Sequence, residues 1–114
     1  MSHGFEKIRG VVKRELALAL AEARDPRLSF VTLMDVKLSP DFRHATVYVS
    51  ALNEEEEAET LQVLQAHQGH FRSELARRME LKHTPELFFR IDEVEKKAQR
   101  LDQLFQQIES EHSH

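Results

Sequence analysis

Cysteine is absent from this 114-residue chain. That excludes a disulfide framework, a zinc ribbon, an iron–sulfur site and a cysteine nucleophile. Glycine and proline are scarce, at 3 each, which rules out a low-complexity or collagen-like sequence. A phosphate loop of the usual kind needs several closely spaced glycines, and none occur. Long apolar runs are missing too, because Arg, Asp or Glu interrupts each one, so no segment spans a bilayer. The N terminus lacks the continuous apolar region of a secretory signal, and a cytoplasmic protein is expected.

What remains is a globular composition rich in charge: 40% hydrophobic and 32% charged residues. The length fits one domain. The net charge is −4, from 16 basic and 20 acidic side chains, which taken alone argues mildly against a nucleic-acid partner. The distribution says more. Residues 1–44 carry 8 basic and 6 acidic groups, 45–60 carry 0 and 5, 61–90 carry 5 and 3, and 91–114 carry 3 and 6. A basic face on an acidic molecule is compatible with that segregation.

Periodicity predicts a helix over 5–24, with Ile8, Val12, Leu16, Ala19, Leu20 and Ala23 on one face. Asp25-Pro26 ends it, since the residue before proline is pushed out of the helical region. Two strands follow, over 30–38 and 43–51. In the first, Phe30, Thr32, Met34, Val36 and Leu38 should face one way; in the second, Ala45, Val47, Val49 and Ala51. Ser39-Pro40-Asp41 is the turn of an antiparallel hairpin. Asn53 is the expected cap of a second helix, with the acidic run from Glu54 to Glu57 in its first turn. Gly69 interrupts that helix, and a kink is expected at His67–His70. Helical spacing resumes through Phe71, Leu75 and Met79 until Thr84-Pro85. A short strand over 87–91 and a C-terminal helix over 93–109 complete the chain, with a disordered tail at 110–114. The fold class is α+β: one domain over 1–109, a three-stranded sheet with helices packed on one face.

No catalytic constellation is present. His3, His112 and His114 lie in the tails. His67 and His70 are three apart at the kink and have no third ligand of clear spacing, so no metal site is expected. Serines and carboxylates are scattered, without a nucleophile elbow. The cations after the glycine are more suggestive. Arg72, Arg77, Arg78 and Lys82 follow the kink, where a helix N terminus exposes amide hydrogens that suit a phosphate. Gly69 allows close approach of an RNA backbone. This is the physical logic of the KH domain. An ordinary solvated face, with these cations paired to Glu74 and Glu80, fits the same spacing. Lys7, Lys13, Arg14, Arg24, Arg27, Lys37 and Arg43 are candidates for a flanking basic surface. Arg27 has a second reading, pairing with Asp25 or a helix end.

The segment Ala23-Arg24-Asp25-Pro26-Arg27-Leu28-Ser29-Phe30-Val31-Thr32 resembles the Asp-Pro-Arg-Leu motif of the bacterial ribosome-binding factor A family. So does Asp35-Val36-Lys37-Leu38-Ser39-Pro40-Asp41, followed by Ala45-Thr46-Val47-Tyr48-Val49-Ser50. Phe71 to Met79, Thr84-Pro85-Glu86-Leu87 with Phe88 to Asp92, and Arg100 to Leu104 continue the likeness in one register over about residues 5 to 108. The resemblance implies a type II KH-like fold in which a kinked helix–helix replaces the Gly-x-x-Gly loop with an Ala-x-Gly pattern. His67, Gln68 and Gly69 occupy it here, with histidine at the alanine position, which makes the kink bulkier and titratable.

The resemblance also implies a non-enzymatic factor for late maturation of the 30S subunit. Its partners would be the 30S particle and 16S rRNA, near the 5′-terminal helix and decoding region. It would support rRNA processing, matter most in the cold, act as a monomer and need no cofactor, membrane or small-molecule substrate. A protein–protein adaptor using the acidic C-terminal helix is the alternative class. A small hydrolase or metal protein has little support.

Overall fold

A computed structural model of the chain describes residues 2–81 and 83–94. Helix α1 (Ser2–Ala21) leads through a 3-10 turn at Pro26–Leu28 to strands β1 (Thr32–Leu38) and β2 (His44–Ser50). A second 3-10 turn, Glu54–Glu56, opens helix α2 (Glu57–Ala66), then helix α3 (Gln68–Met79) and strand β3 (Glu86–Ile91). The sheet order is β1-β2-β3. β1 and β2 are antiparallel, and β3 runs parallel to β2. A parallel neighbour needs a crossover, which α2 and α3 supply.

The core lies on one side of the sheet. Val36, Leu38, Ala45, Val47, Val49 and Leu87 meet Val12, Leu16, Ala19 and Leu20 of α1 and Val63, Leu64, Phe71 and Leu75 of α2 and α3. Phe71, Leu64 and Leu75 are fully buried. Each contributes roughly 1.5–3 kcal/mol of apolar burial. The α+β layering expected from the sequence is the one observed.

Local departures have identifiable causes. α1 stops at Ala21 rather than 24. Its last links tighten from Glu22 N–H···O Leu18 (3.0 Å) to Ala23 N–H···O Leu20 (3.2 Å). Asp25 is committed to the next turn, where its side chain accepts from the Arg27 amide at 2.9 Å with Pro26 in the first position. On β1 the expected alternation fails at its start. A bulge between Leu33 and Asp35 inserts Met34 and reverses the phase. Val31 and Leu33 therefore pack on the core, whereas Thr32 is exposed and Phe30 is 67% exposed.

The hairpin turn behaves as its composition predicts. Asp41 accepts from the Ser39 hydroxyl (2.6 Å) and the Arg43 amide (3.1 Å), and these contacts hold its carboxyl below the usual carboxylate range. Phe42 takes a left-handed backbone (φ 61°) and its ring sits 5.4 Å from that of Phe5. Asn53 caps the 3-10 turn by accepting from Glu56 N–H at 3.1 Å, so the acidic run precedes α2 and enters its first turn.

The helix break is real and falls on one residue, His67 (φ −93°, ψ 10°). Gly69 lies inside the first turn of α3 with ordinary helical backbone. α3 ends at Met79, well before Thr84-Pro85, because Glu80 adopts a left-handed cap (φ 53°) and returns its amide to Ala76. Lys82 and residues 95–114 lie outside the described residues, and with them the tail at 110–114 and nearly all of the helix expected over 93–109.

Candidate nucleic-acid interface

The helix break is fixed from two sides. On one side stands the free edge of β3, whose backbone groups would otherwise lack partners. Gln65 Nε2 donates to the Leu87 carbonyl (3.1 Å), and Leu87 N–H donates to Gln68 Oε1 (2.9 Å). Phe89 N–H reaches Gln65 Oε1 at 3.4 Å. Two glutamines flanking His67 thus substitute for a fourth strand. On the other side His67 Nε2 lies 3.2 Å from Asp25 Oδ2. Asp25 is also gripped by Arg27, through Nε to Oδ1 (3.0 Å) and Nη2 to Oδ2 (2.7 Å). Hydrogen bonds from Arg27, with a smaller share from His67, hold the Asp25 carboxyl well below the usual carboxylate range.

A cleft of about 310 Å³ opens beside this hinge, lined by Arg24, Asp25, Leu28, His67, His70 and Phe71 among others. It adjoins a second, of about 370 Å³, reached by Glu22, Arg24, His70, Glu74 and Arg77. No side chain caps α3 at His67. A Cβ built on Gly69 would meet nothing within 4 Å. The glycine is therefore not required by backbone conformation. It leaves the first turn of α3 bare toward solvent.

The arginines of α3 diverge, as 100° per residue dictates. Arg72 Nη2 donates to the Thr84 carbonyl (3.1 Å), tying α3 to the approach to β3. Arg78 points to α1: its side chain is only 14% exposed and meets Glu22, Glu15 (3.6 Å) and Glu74 (3.3 Å). Arg77 is 67% exposed, paired with Glu74 at 2.5 Å. That pairing is the main cause of a lowered Glu74 carboxyl. Of the candidates named from the sequence, the structure gathers His67, His70, Arg24 and Arg77 around the clefts, with Gly69 at the hinge. It does not bring Arg72 and Arg78 to them.

The remaining basic candidates belong to separate surfaces. Lys7 and Arg14 are exposed on α1, with Arg14 3.4 Å from Glu15. Lys13 lies 3.7 Å from Asp35. Arg27 holds Asp25. Lys37 lies over the Tyr48 ring at 5.5 Å, and Arg43 is exposed beside the hairpin turn. Among the described residues, no group of three His, Cys, Asp or Glu is placed to hold a metal ion, and no helix is long and apolar enough to cross a membrane. Gln65 and Gln68 escaped sequence reasoning because no spacing rule marks a side chain that pairs a strand edge. Their one signal was position, on either side of a helix break.

These features define a class: a small α+β domain whose broken helix is pinned to a sheet edge and presents an open helix start beside Arg24 and two histidines. The chain belongs to the ribosome-binding factor A family, whose profile, described as Ribosome-binding factor A, matches residues 5–105. The ribosome-binding factor A of Neisseria meningitidis serogroup C / serotype 2a is 38% identical over 107 residues, spanning 93% of this chain and 87% of that protein. That of Desulforamulus reducens is 34% identical over 113 residues, spanning 97% and 94%. The crystal structure of ribosome-binding factor A from Thermus thermophilus superposes with a TM-score of 0.68 at 34% identity, covering 75% of this chain and 93% of that one. A Thermus thermophilus homology model fitted into the cryo-EM map of a 30S complex gives 0.63 at 36% identity, covering 74% and 90%.

Proposed function

We propose that this protein is a non-enzymatic assembly factor that binds free 30S particles and assists late maturation of 16S rRNA, contacting RNA near the 5′-terminal helix and decoding region. The single observation that carries the contact is the uncapped, glycine-opened start of α3 beside Arg24, His67 and His70, with Arg77 in the last turn of the same helix on the adjoining cleft. Amide hydrogens at a helix start and guanidinium forks both favour phosphate oxygens. Family membership and the Thermus thermophilus relative fitted into a 30S complex support the partner. The helix–strand–strand–helix–helix–strand order, with a helix break in place of a glycine loop, supports the type II KH-like reading.

In this reading Gly69, His67, His70, Arg77 and Arg24 face RNA, and Lys82 stays a candidate on its place in the sequence. Arg72 and Arg78 hold α3 in place and act through the fold. The protein works as a monomer in the cytoplasm without a cofactor. It selects one rRNA conformation by binding it more tightly than the others, which suffices to shift a slow folding equilibrium and matters most in the cold.

The test is cosedimentation with precursor 30S particles across a salt series. Arg24→Glu combined with Arg77→Glu should weaken association at least about tenfold and reduce the slope of log affinity against log salt by about 1–2. Wild-type affinity and slope in that variant would remove the hinge as the RNA contact.

A further inference from the structure

A cleft of about 780 Å³ shares no lining residue with the two near the hinge. One wall is the start of α2, with Glu57, Ala58 and Leu61. The other is the outer sheet face, with Asp35, Lys37, Tyr48 and Arg90. The chain itself runs out through this cleft, from Ile91 to Val94. Asp92 Oδ1 accepts from Val94 N–H at 3.0 Å, and Glu93 and Val94 take helical backbone, so a helix starts there under an aspartate cap. Val94 is 79% exposed.

The sequence beyond Val94 carries a matching pattern. Val94, Ala98, Leu101, Phe105 and Ile108 recur at steps of four and three, one helical stripe with Leu104 at its border. At helical phase Lys97 and Arg100 flank the stripe on one side, Glu95 and Asp102 on the other. A helix this short is marginal by itself and takes its stability from a surface that covers its apolar face. It holds only about two heptads, fewer than a coiled coil with a second copy needs. The cleft offers Ala58, Leu61, Ile91 and the Tyr48 ring as apolar cover, and its charges are sorted between its walls. Acids predominate, with Asp35, Glu57, Asp92 and Glu93 against Lys37 and Arg90. Both cations stand on the sheet wall, where Asp35 is already engaged by Arg9 (3.2 Å) and Lys13 (3.7 Å). The α2 wall carries only the acid Glu57. A segment basic on one flank and acidic on the other fits such a cleft in one orientation, with Lys97 and Arg100 toward Glu57 and with Glu95 and Asp102 toward Lys37 and Arg90.

We propose that the occupant of this cleft is the chain's own C-terminal segment, residues 95–108, packed as an amphipathic helix between α2 and the outer sheet face. The tether at Val94 holds the segment at high local concentration without any partner. Once seated, it closes the outer face and leaves the hinge as the surface open to other molecules. The proposal is independent of the RNA-binding reading, because the free protein tests it.

Tyr48 is the only tyrosine and tryptophan is absent, so the intrinsic fluorescence of the full chain reports on this cleft alone. The measurement is acrylamide quenching of that fluorescence, each variant being compared at a temperature where circular dichroism shows it folded. Leu101→Asp with Phe105→Asp should raise the quenching constant at least about twofold, because the stripe that covers the ring is lost. Gln103→Asp, on the opposite side of the same helix, should keep the wild-type value. Lys97→Glu with Arg100→Glu should raise it as well, and adding Glu57→Lys to that pair should bring it back toward wild type. An unchanged constant in Leu101→Asp/Phe105→Asp, or an equal rise in Gln103→Asp, would overturn the proposal. Failure of Glu57→Lys to restore any protection would overturn the orientation and with it the choice of this cleft. Protection of Tyr48 that disappears on dilution would make the occupant a second copy of the chain and would equally overturn it.

Discussion

Arg77 and Arg78 are neighbours in the chain and belong to different regions of the molecule. Arg78 lies in the seam between α1 and α3, largely covered, among three carboxylates: Glu15 of α1, Glu22 just past its end and Glu74 of α3. Arg77, rotated by about 100°, faces solvent on the cleft that adjoins the one at the hinge. Both arginines are paired, but the Arg78 pairs are covered whereas the Arg77–Glu74 pair is open to solvent and to a competing anion. The difference shows that a run of cations on a helix cannot be counted as one patch. Helical phase assigns each member to the scaffold or to the surface.

Several experiments sharpen that contrast. The largest effect is expected beneath the hinge. Phe71→Ala should cost about 3–5 kcal/mol in chemical denaturation, because a fully buried ring is lost from a site that cannot collapse. Next comes the seam. Arg78→Met leaves Glu15, Glu22 and Glu74 without their shared cation, and should lower the melting temperature by several degrees. Arg77→Met should leave it nearly unchanged, since exposed ion pairs contribute little. Equal melting temperatures for the two variants would erase the distinction between seam and hinge.

Glu80 offers a smaller test of the other end of α3. Its left-handed cap suits glycine, so Glu80→Gly should raise stability by about 1 kcal/mol. The hinge itself has a pH signature. Asp25 has a depressed folded-state value, so its stabilisation is complete above the ordinary value of 3.8 and is lost as pH falls through the lower folded-state value. The stability gap between wild type and Asp25→Asn should therefore be constant from neutral pH to about 4 and shrink in stronger acid. Asp41 and Glu74 titrate in both proteins and cancel in the difference.

Much of this architecture was legible in the residue pattern. The stripe Val12, Leu16, Ala19 and Leu20, the alternation of Ala45, Val47 and Val49, the Ser39-Pro40-Asp41 turn and the break near His67 follow from local chemistry. The failures were non-local or geometric. Nothing in the composition of 30–35 announces a bulge, yet one extra residue at Met34 turned Phe30 outward. Proline at 85 suggested where α3 must have ended, whereas Glu80 ended it sooner with a backbone conformation that glutamate rarely adopts. At the candidate site, Gly69 and the histidines were visible, but Gln65 and Gln68 reach backbone 19–24 residues away. His67 meets Asp25 across 42 residues. Such contacts depend on the finished fold.

The most direct measurement is the affinity of Arg24→Glu/Arg77→Glu and of Arg78→Met for precursor 30S particles, each at a temperature where circular dichroism shows it fully folded. The double variant should bind at least about tenfold more weakly, with a shallower salt dependence, while the folded Arg78→Met protein binds as wild type does. The reverse ordering would contradict an RNA contact at the hinge.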